Sequence, residues 1–149
     1  MSSFAPREAG FTLIEMMIVL VIIAVLMMVA LPAYESQQIR AKRSVAQVEL
    51  LRILARQEQF FLNNRSYSTT LAPLGFADPW IVDADGNEID ATASNRIYSI
   101  SLASASATAF EIQAVPQARQ VKDTVCATMK VTSTGVKSVT GGGTVADCW

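Results

Sequence analysis

The strongest constraint in this chain is an apolar run over residues 16–31 that holds no charged residue, no Pro and no Gly. With Phe11, Leu13 and Ile14 ahead of it and Ala33 and Tyr34 behind, it is long enough for a membrane-spanning helix. One charge stands at its head, Glu15. A carboxylate near the end of such a segment costs roughly a few kcal/mol unless it reaches the headgroups or finds a cation. Glu15 therefore implies a partner.

Beyond the run the chain is long enough for one further domain of about 110 residues. The chain has a net charge of −1 and only 17% charged residues, so it has no basic footprint to attract nucleic acid from a distance. It contains no His, which removes the Ser-His and Cys-His catalytic pairs and the commonest metal ligand together. An enzyme is not expected, and neither is a cofactor. Both cysteines, Cys126 and Cys148, lie beyond the apolar run; in an exported domain such a pair forms a disulfide, whereas two free thiols would suit a cytosolic protein. The bridge would pin the glycine-rich tail to the third of the strands expected below, worth about 3 kcal/mol on the loop-entropy account.

Pro32 removes one backbone donor and crowds the preceding turn, so a kink is expected there, not an end. Neither Gly nor Pro occurs over residues 34–62, and Lys42, Glu49, Arg52 and Arg56 fall on one polar face. The apolar residues form two groups on roughly opposite sides. Ala41, Val45, Val48, Leu51, Ala55 and Leu62 make one; Ile39, Ala46, Leu50, Ile53, Leu54 and Phe61 make the other. A helix covering a single sheet needs one stripe, so the extra face calls for another surface, most simply other subunits, the alternative being a helix sunk deeply in its own domain.

Periodicity fails over residues 63–96, where Pro73, Gly75, Pro79 and Asp85-Gly86 mark turns, with a small hairpin expected between Trp80-Ile81-Val82 and Glu88-Ile89. Period-two alternation then predicts three half-buried strands. They run through Tyr98–Ile100–Leu102, through Phe110–Ile112–Ala114, and through Val125, Ala127, Met129 and Val131, with a short fourth over residues 136–139 before a flexible Gly141-Gly142-Gly143. The fold class is α+β: a long N-terminal helix, half membrane-spanning and half packed on an antiparallel sheet of about four strands.

Gly10-Phe11-Thr12-Leu13-Ile14-Glu15, joined to a run ending in Leu31-Pro32-Ala33-Tyr34, resembles the N-terminus of a type IV pilin precursor. The resemblance implies that prepilin peptidase cuts between Gly10 and Phe11 and methylates the new N-terminal Phe11. It further implies that Glu15 pairs with the N-terminal amine of a neighbouring subunit. Residues 1–10 would be a leader, 11–34 the transmembrane and assembly helix, and 35–149 a globular domain outside the inner membrane. Downstream, Arg56-Gln57-Glu58-Gln59-Phe60-Phe61, Ser66-Tyr67, Ala114-Val115-Pro116, Gln120, Asp123-Thr124-Val125-Cys126 and Asp147-Cys148-Trp149 are similar to the PilE-like minor pilins of type IVa pili. Residues 77–95 do not align. The family implies a single-pass inner-membrane protein, N-terminus cytoplasmic, that enters an extracellular filament and serves pilus assembly, adhesion and twitching motility. Its partners would be other pilins and prepilin peptidase. A major pilin or a type II secretion pseudopilin shares the helix and is the near alternative. The chain departs from the family at Ala24, where pilins commonly have Gly; Ala favours helix by about 1 kcal/mol, which predicts a helix continuous through this region.

Two binding functions compete. Asp83, Asp85, Asn87 and Asp90 could offer oxygens to calcium, but Gly86 falls at the fourth place of the loop instead of the sixth and no Glu closes it, so a solvated turn is expected and no metal site. Trp149, Tyr98 and Phe110 could interleave with Lys122, Lys130 and Lys137 as a DNA-stacking surface, as in competence pilins. Alternating strand aromatics belong to cores, so nucleic acid is not expected as a partner.

Overall fold

The computed structural model describes residues 10–149. The chain divides after Gln37 into two units. Helix α1, Leu13–Asn64, is assigned without interruption through Pro32 and belongs to both. Its continuity past Ala24 agrees with the helix-favouring Ala at that place. In the first unit every described residue is exposed, including Leu20, Val21 and Leu26, each 63% exposed. So much open apolar surface requires lipid or protein around it. By length and composition this is a helix able to cross a membrane.

The second unit is an α+β domain built on one antiparallel sheet. Its strands are β1 (Trp80–Val82), β2 (Tyr98–Ala105), β3 (Phe110–Pro116), β4 (Met129–Thr132) and β5 (Lys137–Val139), in sequential spatial order. Tyr98, Ile100, Phe110, Ile112, Ala114, Met129 and Val131 alternate with half-buried polar residues, and their buried side joins Ala46, Leu50 and Ile53 of α1 in one core. Ile100 pairs with Ala114, and Ala114 with Met129, which keeps the apolar residues of successive strands on the same face.

The sheet has five strands, not about four. The added one is Trp80–Val82, which pairs with β2 along its whole length. The hairpin expected there is also present, reduced to a Val82–Glu88 bridge closed by Ile89 N–H donating to Ile81 O. Trp80, Ile81 and Val82 are all buried, so no alternation marks the strand. The third expected strand starts later than its pattern, at Met129. Residues 124–126 form a turn, Ala127 adopts φ 48°, and Val125 is exposed. Asp123 accepts from Cys126 N–H at 3.1 Å and holds this turn shut.

The glycine segment is not a loose tail. The N–H groups of Gly141, Gly142 and Gly143 donate to the carbonyls of Cys126, Thr124 and Val125 at 3.2, 3.0 and 2.8 Å. A Cβ on Gly141 would overlap the Val125 carbonyl, which is why this ribbon can lie against that turn only with glycine there. It ends in helix α2, Val145–Cys148. A capping box between Thr144 and Asp147 opens this helix, and the Thr144 hydroxyl, then its N–H, hold the Asp147 carboxyl below its usual range.

Candidate assembly site

Gly10 and Phe11 precede α1, and both are exposed; Phe11 is 77% open. Residues 1–9, the rest of the expected leader, lie outside the described residues. Glu15 sits in the first turn of α1 in a reciprocal cap: Glu15 N–H donates to Thr12 Oγ1 at 3.3 Å and Thr12 N–H to Glu15 Oε2 at 3.5 Å. The carboxylate thus lies at the positive end of the helix dipole, exposed, with acceptor capacity left for a cation.

In the second unit the two apolar groups of α1 separate as their spacing requires. Ala46, Leu50 and Ile53 are buried against the sheet, with Ile39, Leu54 and Phe61 half-buried. Opposite them Ala41, Val48, Leu51, Ala55 and Leu62 are exposed, Val48 to 60% and Leu62 to 80%; Val45 is half-buried at the border. An apolar seam is left open along the domain's helix.

Glu49 does not belong to the solvated face with Arg52 and Arg56. It is buried and accepts from Trp80 Nε1–H at 3.0 Å, because an indole taken into the core needs an acceptor. Arg52 stays outside, 3.4 Å from Glu49 and 5.1 Å above the Phe76 ring. Gln57, fully buried, donates to Ser68 O and accepts from Ser68 N–H, so the chain leaving α1 is tied back to it.

The central polar contact is Arg43 with Asp123. Nε and Nη2 of Arg43 donate to the two carboxylate oxygens at 2.5 and 2.6 Å, and both residues are buried. The bond to Asp123 raises the Arg43 pKa further, against the opposing effect of burial. Beside it Gln120 Nε2 donates to Tyr98 Oη and to Ile39 O, each at 3.1 Å. Burial pushes the Tyr98 hydroxyl up to about 12. Sequence patterning missed this network, since charged residues at Arg43 and Asp123 read as surface. The one available signal was Gln120 and Asp123 lying among the residues that carried the family resemblance.

Cys126 and Cys148 are bridged, with Cα atoms 5.7 Å apart. Two of the calcium candidates, Asp83 and Asp90, accept hydrogen bonds from the chain itself. Burial raises the Asp83 pKa, but backbone and side-chain donors outweigh it, with the Asn87 and Asp85 N–H groups at 2.9 and 3.0 Å, and the net shift is downward. Asp90 accepts from the Thr92 hydroxyl and N–H, which lower its pKa, while Asp85 and Asn87 are exposed. Among the described residues no group of three or more His, Cys, Asp or Glu is placed to hold a metal ion. Of the stacking candidates, Tyr98 and Phe110 are core residues, Lys130 pairs with Glu111 at 2.9 Å, and Trp149 is half-buried with Lys137 4.6 Å over its ring. Lys122 is exposed.

Comparison with known proteins agrees with this geometry. Residues 5–31 match the prokaryotic N-terminal methylation motif, and residues 32–130 match a family described as type IV minor pilin ComP, DNA uptake sequence receptor. The chain is 42% identical to the type IV major pilin protein PilA of Myxococcus xanthus over 76 residues, 51% of this chain and 34% of that protein. It is 36% identical to the type IV major pilin protein PilE1 of Neisseria gonorrhoeae over 72 residues, covering 48% and 44%. The match thus spans from a third to under half the length of these relatives. The non-core minor pilin PilV of Neisseria meningitidis is similar in structure, with TM-score 0.49 and 16% identity over 71% of this chain and 90% of that one.

Proposed function

The chain belongs to the type IV pilins, and from that premise we propose that it is a minor subunit, cut between Gly10 and Phe11, methylated on Phe11 and packed into the filament through α1. The carrying observation is one continuous helix with two unlike surfaces. Its first unit exposes apolar side chains all round, and its second covers a sheet with one face and leaves the Val48–Leu51–Leu62 seam open. Lipid covers the first unit before assembly, single-pass in the inner membrane with the N-terminus cytoplasmic; neighbouring subunits cover it and the seam afterwards. The part played is structural, in pilus biogenesis and through it adhesion and twitching motility, and no residue is assigned to catalysis. The minor assignment is supported by the matched family's description; a major pilin or a type II secretion pseudopilin would be told apart by the amount of this chain in purified filaments. That description also names a DNA uptake sequence receptor. A DNA role here would have to do without Tyr98 and Phe110, which are held in the core.

Intact-mass measurement of the chain extracted from membranes tests the processing step. The expected species begins at Phe11 and carries one added methyl; a mature form that retains Ala9 and Gly10 rules the assignment out. Assembly is tested at Glu15. Where two apolar surfaces close over a carboxylate, an amine from the next subunit is a far stronger partner than in water. Glu15→Ala is expected to be processed normally yet to appear in sheared filaments at a level lower by about tenfold, the ratio that about 1.4 kcal/mol of lost pairing gives. Equal amounts of mutant and wild type in the filaments would remove Glu15 from the docking step.

A further inference from the structure

A groove of about 410 Å³ in the second unit is lined by Lys42, Arg96 and Arg119, with Ser94, Asn95 and Gln120 between them and no carboxylate in its lining. We propose that this groove binds the phosphate headgroup of an anionic phospholipid while the subunit waits in the inner membrane. The proposal rests on the reading of residues 11–34 as membrane-spanning. Three observations carry it. The three cations line one concavity together with residues whose hydroxyl and amide groups can complete a phosphate's hydrogen bonds. Arg96 is braced by donating from Nη1 to Ala93 O at 2.7 Å, which restricts the guanidinium of this lining residue. The segment bearing Arg119 is fastened to the first turns of this unit's helix by Gln120 to Ile39 O and by Asp123 to Arg43. In sequence, Lys42 follows Tyr34, the end of the apolar segment, by only eight residues.

The scale of the site selects its ligand. DNA carries a charge for about every 1.7 Å of its axis, so a duplex calls for a longer run of cations than the three in this lining. A single headgroup needs only the three cations. Bound there, it would give the subunit a second attachment to lipid besides its apolar segment.

The test uses the full chain in zwitterionic detergent, with hydrogen exchange followed at residues 94–97 and 118–120 during titration with short-chain phosphatidylglycerol or phosphatidylcholine. Phosphatidylglycerol is expected to slow exchange in both segments saturably, and phosphatidylcholine to leave them unchanged. Arg119→Gln and Lys42→Gln should each raise the phosphatidylglycerol midpoint about fivefold, the effect of one cation near an anionic surface. Arg119 is exposed, so its variant tests the site without disturbing the core, and an unchanged near-ultraviolet circular dichroism spectrum establishes the fold of both. Equal protection by the two lipids, or none by either, overturns the proposal. So does inorganic phosphate acting at the same concentration, which would make it a free-anion site, or protection by a short DNA duplex at a lower one, which would assign the groove to nucleic acid. Recovery of the chain in the membrane fraction checks the membrane reading separately.

Discussion

Asp123→Ala is expected to cost the globular domain about 3–5 kcal/mol, because it strands the Arg43 guanidinium in a site too closed for water to replace the lost carboxylate. For a domain of this size the thermal midpoint should fall by roughly 15 °C, read from the near-ultraviolet signal of the core aromatics in detergent. The same change removes the acceptor of Cys126 N–H, so the turn before β4 loosens as well. Asp123→Asn separates the two effects: it keeps an acceptor for Cys126 and for one Arg43 nitrogen while removing the charge, and should lie between wild type and Ala. The pair Arg43→Met with Asp123→Leu removes both charges together and should recover most of the loss, as apolar replacements of buried ion pairs commonly do. A loss below about 1 kcal/mol in Asp123→Ala would place the contact in solvent, against its burial.

The parts of this protein that could be read from the sequence are those in which a single physical demand acts over many residues. A helix able to cross a membrane must be apolar throughout, so residues 16–31 stand out at once. Strands half-covered by a helix must alternate, so Tyr98–Ile100–Leu102 and Phe110–Ile112–Ala114 appear in place. The opposed apolar groups of α1 were legible for the same reason. Features that depend on one or two contacts were not. β1 is three buried residues, too short for any period. Val125 and Ala127 alternate as a strand should, yet the turn fixed by Asp123, the left-handed Ala127 and the disulfide outweigh that pattern. Glu49 looks like a surface charge until Trp80 is known to need its oxygen. As for the proposed assembly site, the residues proposed to carry it were visible as a motif, whereas the open seam could be recognised only once the sheet had taken the other face of the helix.

Removal of the disulfide gives the other large effect. Cys126 and Cys148 close a loop across 22 positions, and opening it frees the unfolded chain by about 3 kcal/mol. Cys126→Ser with Cys148→Ser should therefore lower the thermal midpoint by roughly 10 °C. The effect should also be local. The segment between the cysteines contains β4, β5 and the glycine ribbon, and beyond the bridge α2 is held chiefly by its capping box and by Gln47 Nε2 donating to Cys148 O at 2.8 Å. Hydrogen exchange should rise first at Gly141, Gly142 and Gly143, whose partners lie in the turn containing Cys126, and last at β2 and β3 in the middle of the sheet. The disulfide and the Arg43–Asp123 pair both act on that one turn. Once it has opened for either reason, the other restraint holds less in place, so the losses from Asp123→Ala and the double serine variant should sum to more than the loss of all three changes together. Strict additivity would mean that the ion pair and the disulfide hold separate parts of the domain, contrary to their meeting at Cys126.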